Sequence, residues 1–483
     1  MRSIKFTLPQ WVAAGLMTAA VAASGGTVSA QQPVQAPVGT PPVMANVPQE
    51  DAYQLRALPP QEAAEEVESA PERYLELEFL KKRGISTYGW VNVGIGANNW
   101  GSPFNGPITF NDRNWQGQMN QLYLVNEKVL NTEDGGLDWG GRVDLLYGTD
   151  YIFTTARGLD GNLFNQPNQY GVTGAPSWAS SKDYGLAMPQ IYGEVGYGNH
   201  AVKFGHFYTI IGYEVVPAIG NFFYTHAYTM QYGEPFTHTG ILDTWKVNDQ
   251  MTVYAGITNG WDNFSDPINV LGIANPGYPA ANSNAAFLGG VTFKNSDETQ
   301  ALTFTTSSGN EIGEFTTPLA TIGNRSILST VYTNEINDKI TYVFQNDNGW
   351  QFNAGALAVP LASGRGQAGT AQWYGINQYL FYNFSDTLVG GLRLEWFRDN
   401  NGYRVLNPWR NYWVGGPSQT GYQGNFWQMS WGLNWKPTTN WMIRPELRYD
   451  WFSPDQAGKP LPFGRSNNEY GQFYGGCDAI WQF

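Results

Sequence analysis

The sequence predicts an all-β protein: a single closed antiparallel transmembrane β-barrel of about 16 strands, preceded by a short N-terminal linker and helix. Three observations predict it. The 483 residues include 57 Gly, 19 Trp, 28 Tyr and 26 Phe, yet only 14% are charged, against about 25% in soluble domains. Strand-like segments, most of them ten to fourteen residues long, alternate apolar and polar side chains; this period of two belongs to extended backbone, and the length suits a tilted bilayer crossing. The connections also alternate strictly, short then long, as in outer-membrane barrels.

The chain opens with Arg2 and Lys5, continues with an apolar stretch from Trp11 to Ala23, and reaches the small residues Val28-Ser29-Ala30. That is the layout of a cleaved secretory signal peptide over 1–30, with Gln31 as the mature N-terminus. No other stretch reaches the ~18 apolar residues of a transmembrane helix, so membrane residence has to come from strands. Residues 31–60 are rich in Pro, Ala and Gln and read as a linker. Over 62–83 the pattern turns helical, acidic early and ending in Lys81-Lys82-Arg83, which suits the helix dipole; Gly84 supplies the stop. The segment 31–84 is thus expected to be a periplasmic extension, either a plug or a partner-binding helix, with the barrel over 85–483.

The strands are expected at 86–97, 118–130, 137–152, 187–198, 200–211, 236–247, 250–261 and 286–295, then at 299–308, 325–336, 338–347, 371–384, 387–398, 423–436, 441–452 and 470–483. Tight turns such as Gly198-Asn199, Asn248-Asp249, Asn337-Asp338 and Ser385-Asp386 alternate with long connections, among them 98–117, 153–186, 212–235 and 399–422. The segment 441–451 carries the argument for membrane residence. Trp441, Ile443, Pro445, Leu447, Tyr449 and Trp451 occupy one face; Arg444, Glu446, Arg448 and Asp450 occupy the other. Ten residues at ~3.3 Å, tilted ~40°, rise about 25 Å, the height of the apolar band between aromatic girdles. The apolar face therefore looks at lipid and the charged face at an aqueous lumen. The chain closes on Phe473, Trp481 and Phe483 in one alternating row, an aromatic end of the kind that barrel-assembly machinery reads.

The stretches YGWVNVG (88–94), VKFGHFYTIIGYE (202–214), PFTHTG (235–240), TNGWDNF (258–264) and LRLEWFRD (392–399) resemble the OmpL-like β-barrel porins of bacterial outer membranes. The likeness covers most of 86–483. It implies an outer-membrane pore for small hydrophilic solutes, with trimers by analogy, and it brings no catalytic residues.

Inward parity assigns Arg142, Asp144, Glu194, Lys203, Arg393, Glu395, Arg444, Glu446, Arg448 and Asp450 to the lumen, where they are expected to line the pore and tune ion passage. A set of paired, solvated strand charges would do neither. The third long connection carries Glu214, His226 and Glu234, no Lys or Arg, and many apolar side chains. Exposed, it would be a sticky patch; folded inward it would form a constriction, its acids facing Arg142, Arg444 and Arg448 across the opening. The four histidines include no HExxH motif, and His238 in PFTHTG has no GxSxG elbow with which to form a hydrolase site. One cysteine, Cys477, excludes an intramolecular disulfide. A net charge of -13 argues against nucleic acid, and no cofactor or metal is implied. The expected partners are outer-membrane lipid, the assembly machinery and small solutes. A lipid-hydrolysing barrel and a secreted carbohydrate binder are the alternatives.

Overall fold

In a sheet that crosses a bilayer, alternating side chains are satisfied on both faces when the sheet separates lipid from an aqueous lumen and leaves no open edge. The computed structural model resolves this as a closed antiparallel barrel of 16 strands, each paired with its sequence neighbours until the last returns to the first. The structure describes residue 75 and residues 77–132, 135–156, 158–160, 178–181, 183–264, 285–312, 322–354, 369–405, 421–455 and 461–483. The strands are β1 (Ser86–Asn98), β2 (Gln118–Lys128), β3 (Leu137–Gly148), β4 (Gly185–Tyr197), β5 (His200–Tyr208), β6 (Thr237–Asn248), β7 (Met251–Thr258) and β8 (Ala286–Lys294). They continue with β9 (Gln300–Ile312), β10 (Ile322–Asn337), β11 (Ile340–Gln351), β12 (Ala371–Ser385), β13 (Leu388–Asp399), β14 (Gly424–Thr438), β15 (Trp441–Pro454) and β16 (Gly471–Gln482).

Several strand boundaries depart from the sequence reading, among them β7, which ends at Thr258 rather than 261, and β11, which runs on to Gln351 rather than 347. β3 stops at Gly148 because Thr149–Phe153 winds into a 3-10 turn with Asp150 buried. There Asp150 accepts hydrogen bonds from Asn120 and Gln121 of β2. β5 stops at Tyr208, where the chain leaves the wall, rather than at 211. β9 and β10 run further outward than their alternation marks, pairing as far as Ile312 and Ile322. The helical pattern of 62–83 is described only at its end, as α1 (Glu78–Lys81). It is followed by Gly84 at φ +73°, where a side chain would be strained. The signal segment, the linker and most of that helical pattern lie outside the described residues.

Barrel closure runs through Phe483. Gly89 N–H donates to the Phe483 carbonyl at 3.0 Å, and Phe483 N–H donates back to Gly89 O at 2.9 Å. Trp481 pairs with Val91 on one side and Trp441 on the other, extending the ring row of Trp441, Trp481 and Phe483. On the outer face Trp427 and Trp451 stack at 5.8 Å and Phe473 meets Tyr449 at 4.5 Å. Lumen-facing side chains form the buried interior, together with the segment between β5 and β6.

Candidate functional site

Residues 209–236, the third long connection, fold into the lumen. The local cause is composition: Ile210, Ile211, Tyr213, Val216, Phe222, Phe223 and Tyr228 are all buried there, and no cation holds the segment in water. Phe222, Phe223 and Tyr213 pack with Val331, Val343, Tyr379, Phe381 and Val389 of β10–β13. Space for them comes from glycines on the wall: a Cβ at Gly391 would lie 2.3 Å from Phe222, and one at Gly94 would lie 2.5 Å from Tyr224.

An irregular segment inside a barrel brings unpaired backbone groups with it, and each needs a partner. The wall charges supply them by sign. Arginines take the carbonyls: Arg444 donates to Ala218 O (2.9 Å) and Asn221 O (2.5 Å), Arg393 to Thr225 O (2.7 Å) and Arg448 to His226 O (2.7 Å). Carboxylates take the amides. Glu446 accepts from Thr225 N (2.7 Å), and Glu395 from Tyr228 N (2.8 Å) and Thr229 N (2.7 Å). Gln121 of β2 completes the first leg, accepting from Ala218 N and donating to Val216 O. Gln345 and Trp373 hold the last, donating to Glu234 and to Gly233 O. Asn221 ties the segment to itself through Val215 and Pro217.

The carboxylates of the loop point at the wall. Glu214 accepts from Arg393 Nη1 at 2.7 Å, Tyr379 OH at 3.0 Å and Ala227 N–H at 2.9 Å, with His226 Nδ1 at 3.2 Å. Burial alone would raise its pKa, but the Arg393 guanidinium, His226 and the Ala227 N–H hold it down at about 2. Glu234 sits in the opposite setting. Burial and the neighbouring Asp347 carboxyl push its pKa well above the ordinary carboxylate range. Gly212 must be glycine here, at φ +85° with Glu234 filling the place of a Cβ.

This geometry revises the expected pore lining. Arg393, Arg444, Arg448, Glu395, Glu446, Asp450 and Asp144 do face inward, but all are buried, with Arg393 at 0% exposure. They lie beneath the folded loop or in wall pairs such as Arg444–Asp478 (2.5 Å) and Arg448–Asp450 (2.7 Å). The expected arrangement, loop acids facing Arg142, Arg444 and Arg448 across an opening, is therefore not the one formed. Glu214 is paired with Arg393, and Glu234 is with Gln345 and Asp347. Physically, backbone groups left unpaired in the lumen claim the nearest charges before water does. Arg142 and Lys203 remain half-buried. Arg142 bridges Glu127 and Asp144, and Lys203 stands 4.3 Å over the Tyr192 ring, cross-strand from Glu194. His238 is bonded at both nitrogens, to Gly260 O and Thr209 Oγ1, which makes it a strut at the base of the loop. Among the described residues no cluster of three or more His, Cys, Asp or Glu is placed to hold a metal.

Sequence reading missed Gln121, Gln345, Trp373, Tyr379 and Asp478 as anchors. Asp478 was within reach, because it has lumen parity between Cys477 and Ala479. The others are uncharged wall residues whose importance comes from the loop that reaches them.

A family model described as putative beta-barrel porin-2, OmpL-like, matches residues 84–483. Solved structures share the barrel at low identity. The anion-selective porin from Comamonas acidovorans superposes with TM-score 0.52 at 9% identity, over 83% of this chain and 99% of its own. Pseudomonas putida OprB, in its high-pH structure, gives 0.50 at 11% identity, over 86% and 100%. At such identities the likeness carries the fold alone. No curated protein matches the sequence.

Proposed function

Because the chain belongs to the OmpL-like family of β-barrel porins and is therefore a bacterial outer-membrane channel for small solutes, we propose that its conducting path is the crescent of lumen between the folded loop and the wall of β3–β10. One observation carries this reading. On the barrel wall the polar anchors of the loop from Val216 to Glu234 go to β2 and β11–β15, with further ties to Pro107, Thr109 and Arg404 of the outer connections, which leaves the half-buried inward side chains of β3–β10 facing the remaining space. Those side chains are polar: Arg142, Tyr192, Glu194, Lys203, Thr252 and Thr292 among them. Such a lining suits hydrated ions and small hydrophilic solutes. In this reading passage is passive diffusion, residues 1–30 are a cleaved export signal, residues 31–84 are a periplasmic extension, and the terminal aromatic row engages the assembly machinery.

Single-channel recording in a planar bilayer tests the reading. The folded protein should give steady conductance that scales with salt, and a correctly folded barrel with no conductance would sink it. The double substitution Arg142→Ala with Lys203→Ala removes two half-buried cations of the proposed path. It should move the reversal potential toward cation preference, most clearly at ~10 mM salt, where the Debye length is ~30 Å. An unchanged reversal potential would place the path elsewhere.

A further inference from the structure

The outer surface of the barrel is not uniform. At the strand centres of most of the wall, the lipid-facing side chains are those expected in hydrocarbon: Val143 on β3, Leu394 on β13, Trp431 on β14 and Leu447 on β15. A groove of about 760 Å³ runs from the end of β12 across β13–β16 to β1, lined by Leu380, Leu392, Leu433, Leu447 and Ile95, the surface an acyl chain would cover. On β9–β12 the same depth carries Thr306, Thr330, Asn346, Asn348 and Gln378, all half-buried and all with outward parity, interleaved with the apolar Phe304, Leu328, Phe344 and Ile376. Asn346 lies midway between Tyr342 and Trp350 on β11, and Gln378 midway between Tyr374 and Tyr382 on β12. Thr330 stands directly opposite Asn346 across the ladder.

These groups are partly satisfied within the wall. Asn346 Nδ2 donates to Gly375 O (2.9 Å), Asn348 Nδ2 to Asn346 Oδ1 (2.9 Å), Tyr342 OH to Gln378 Oε1 (3.0 Å) and Thr306 Oγ1 to Ile327 O (2.7 Å). The remainder is the informative part. Among the described residues the Gln378 amide N–H groups and Asn348 Oδ1 have no hydrogen-bond partner, although they stand at hydrocarbon depth. An acyl chain offers neither donor nor acceptor, so lipid contact would leave them unsatisfied. Between transmembrane segments such amides are satisfied by protein across an interface.

We propose that the β9–β12 outer wall is a self-association surface, at which two copies of this chain meet through their Asn346, Asn348 and Gln378 amides. A second copy fits better than an unrelated partner for a chemical reason. The patch carries no formal charge that would call for a complement, and each primary amide holds both donors and acceptors. The same patch can therefore satisfy itself under the rotation of a closed cyclic assembly. The adjoining wall of β13–β16 and β1, which holds most of the apolar groove, stays in lipid.

The test uses the full-length protein in outer membranes. In a Cys477→Ser background, single cysteines are placed by Asn346→Cys, Gln378→Cys and, as the lipid-side control, Leu447→Cys, and treated with a flexible bismaleimide. Cross-linked pairs of this chain at 346 and 378, with none at 447, are expected. The triple change Asn346→Leu, Asn348→Leu and Gln378→Leu should turn an oligomer in mild detergent into a monomer that keeps the heat-modifiable folded band. Cross-linking at 447 but not at 346 or 378, adducts only to a different protein, or a wild-type barrel that is monomeric and gives no cross-links would each overturn the proposal. If the triple variant fails to insert, the cysteine pattern alone decides.

Discussion

The two carboxyl groups of the folded loop face the wall in opposite electrostatic settings, and the difference fixes a pH window for the anchoring of the loop. Glu214 is held at about 2 rather than its ordinary 4.5. A depressed folded-state value means that its contribution to anchoring, on the order of 3 kcal/mol, is complete above the unfolded value and is lost as pH falls from about 4.5 toward 2. Glu234 is raised, with Asp347 beside it, so the sign reverses. Its contribution is complete below the ordinary carboxylate range and is lost as pH rises through the elevated folded value. The loop should therefore be held best between the two limbs, and open-channel noise should grow on either side. Glu214→Gln should remove the acid limb and Glu234→Gln the alkaline limb, each leaving the other intact. Noise recorded across a pH series checks this. If Glu214→Gln altered both limbs equally, the two groups would not act separately.

At the scale of the element, the loop depends on the wall being hollow where it lands. Gly391 on β13 faces Gly432 on β14 in register, and the rings of Phe222 and Phe223 fill the space over them. Gly391→Ala would place a methyl 2.3 Å from Phe222, so the ring has to move. Overpacking of this kind costs about 1–3 kcal/mol. Because the strand is held by ladders on both sides, the loop should yield and the barrel should not. Gly391→Ala is expected to keep its folded, heat-modifiable band and to widen or destabilise the conductance state. Loss of the folded barrel with no change in conductance of the remainder would contradict that order of stabilities. That this connection turns inward was legible in the sequence, since a cation-free run containing Phe222, Phe223, Tyr224 and Tyr228 has no stable place in water. Its docking site was not. Parity placed Arg393, Arg444 and Arg448 in the lumen, but parity is silent on what covers them. Backbone carbonyls of a loop almost 170 residues or more away in sequence claim all three.

For the whole molecule, the strand count and pairing order were legible because two independent patterns coincide: a period of two within each segment, and short turns alternating with long connections between them. What neither pattern contained was the exact end of a strand where a local turn competes, as at Thr149–Phe153, or the polar band on β9–β12, whose alternation looks like that of any other strand until the register sets Thr330 beside Asn346. Closure belongs to this scale as well. A barrel has no edge only while its first and last strands are joined, and here the final residue takes part, with Phe483 exchanging both backbone hydrogen bonds with Gly89. Its ring also lies against Trp481 at 5.3 Å and would be 2.8 Å from a Cβ at Gly89, so the glycine makes room for it. Deleting Phe483 removes one rung of the seam and the end of the aromatic row together. An unpaired backbone group within the bilayer costs several kcal/mol, and the seam has no neighbouring strand to replace the lost rung. The truncated chain should lose its heat-modifiable form and be degraded before insertion, while Phe483→Tyr, which keeps the ring and the rung, should insert normally. The fractionated outer membrane is the measurement: truncated protein present there at wild-type level, folded and conducting, would show that closure does not need the terminal residue.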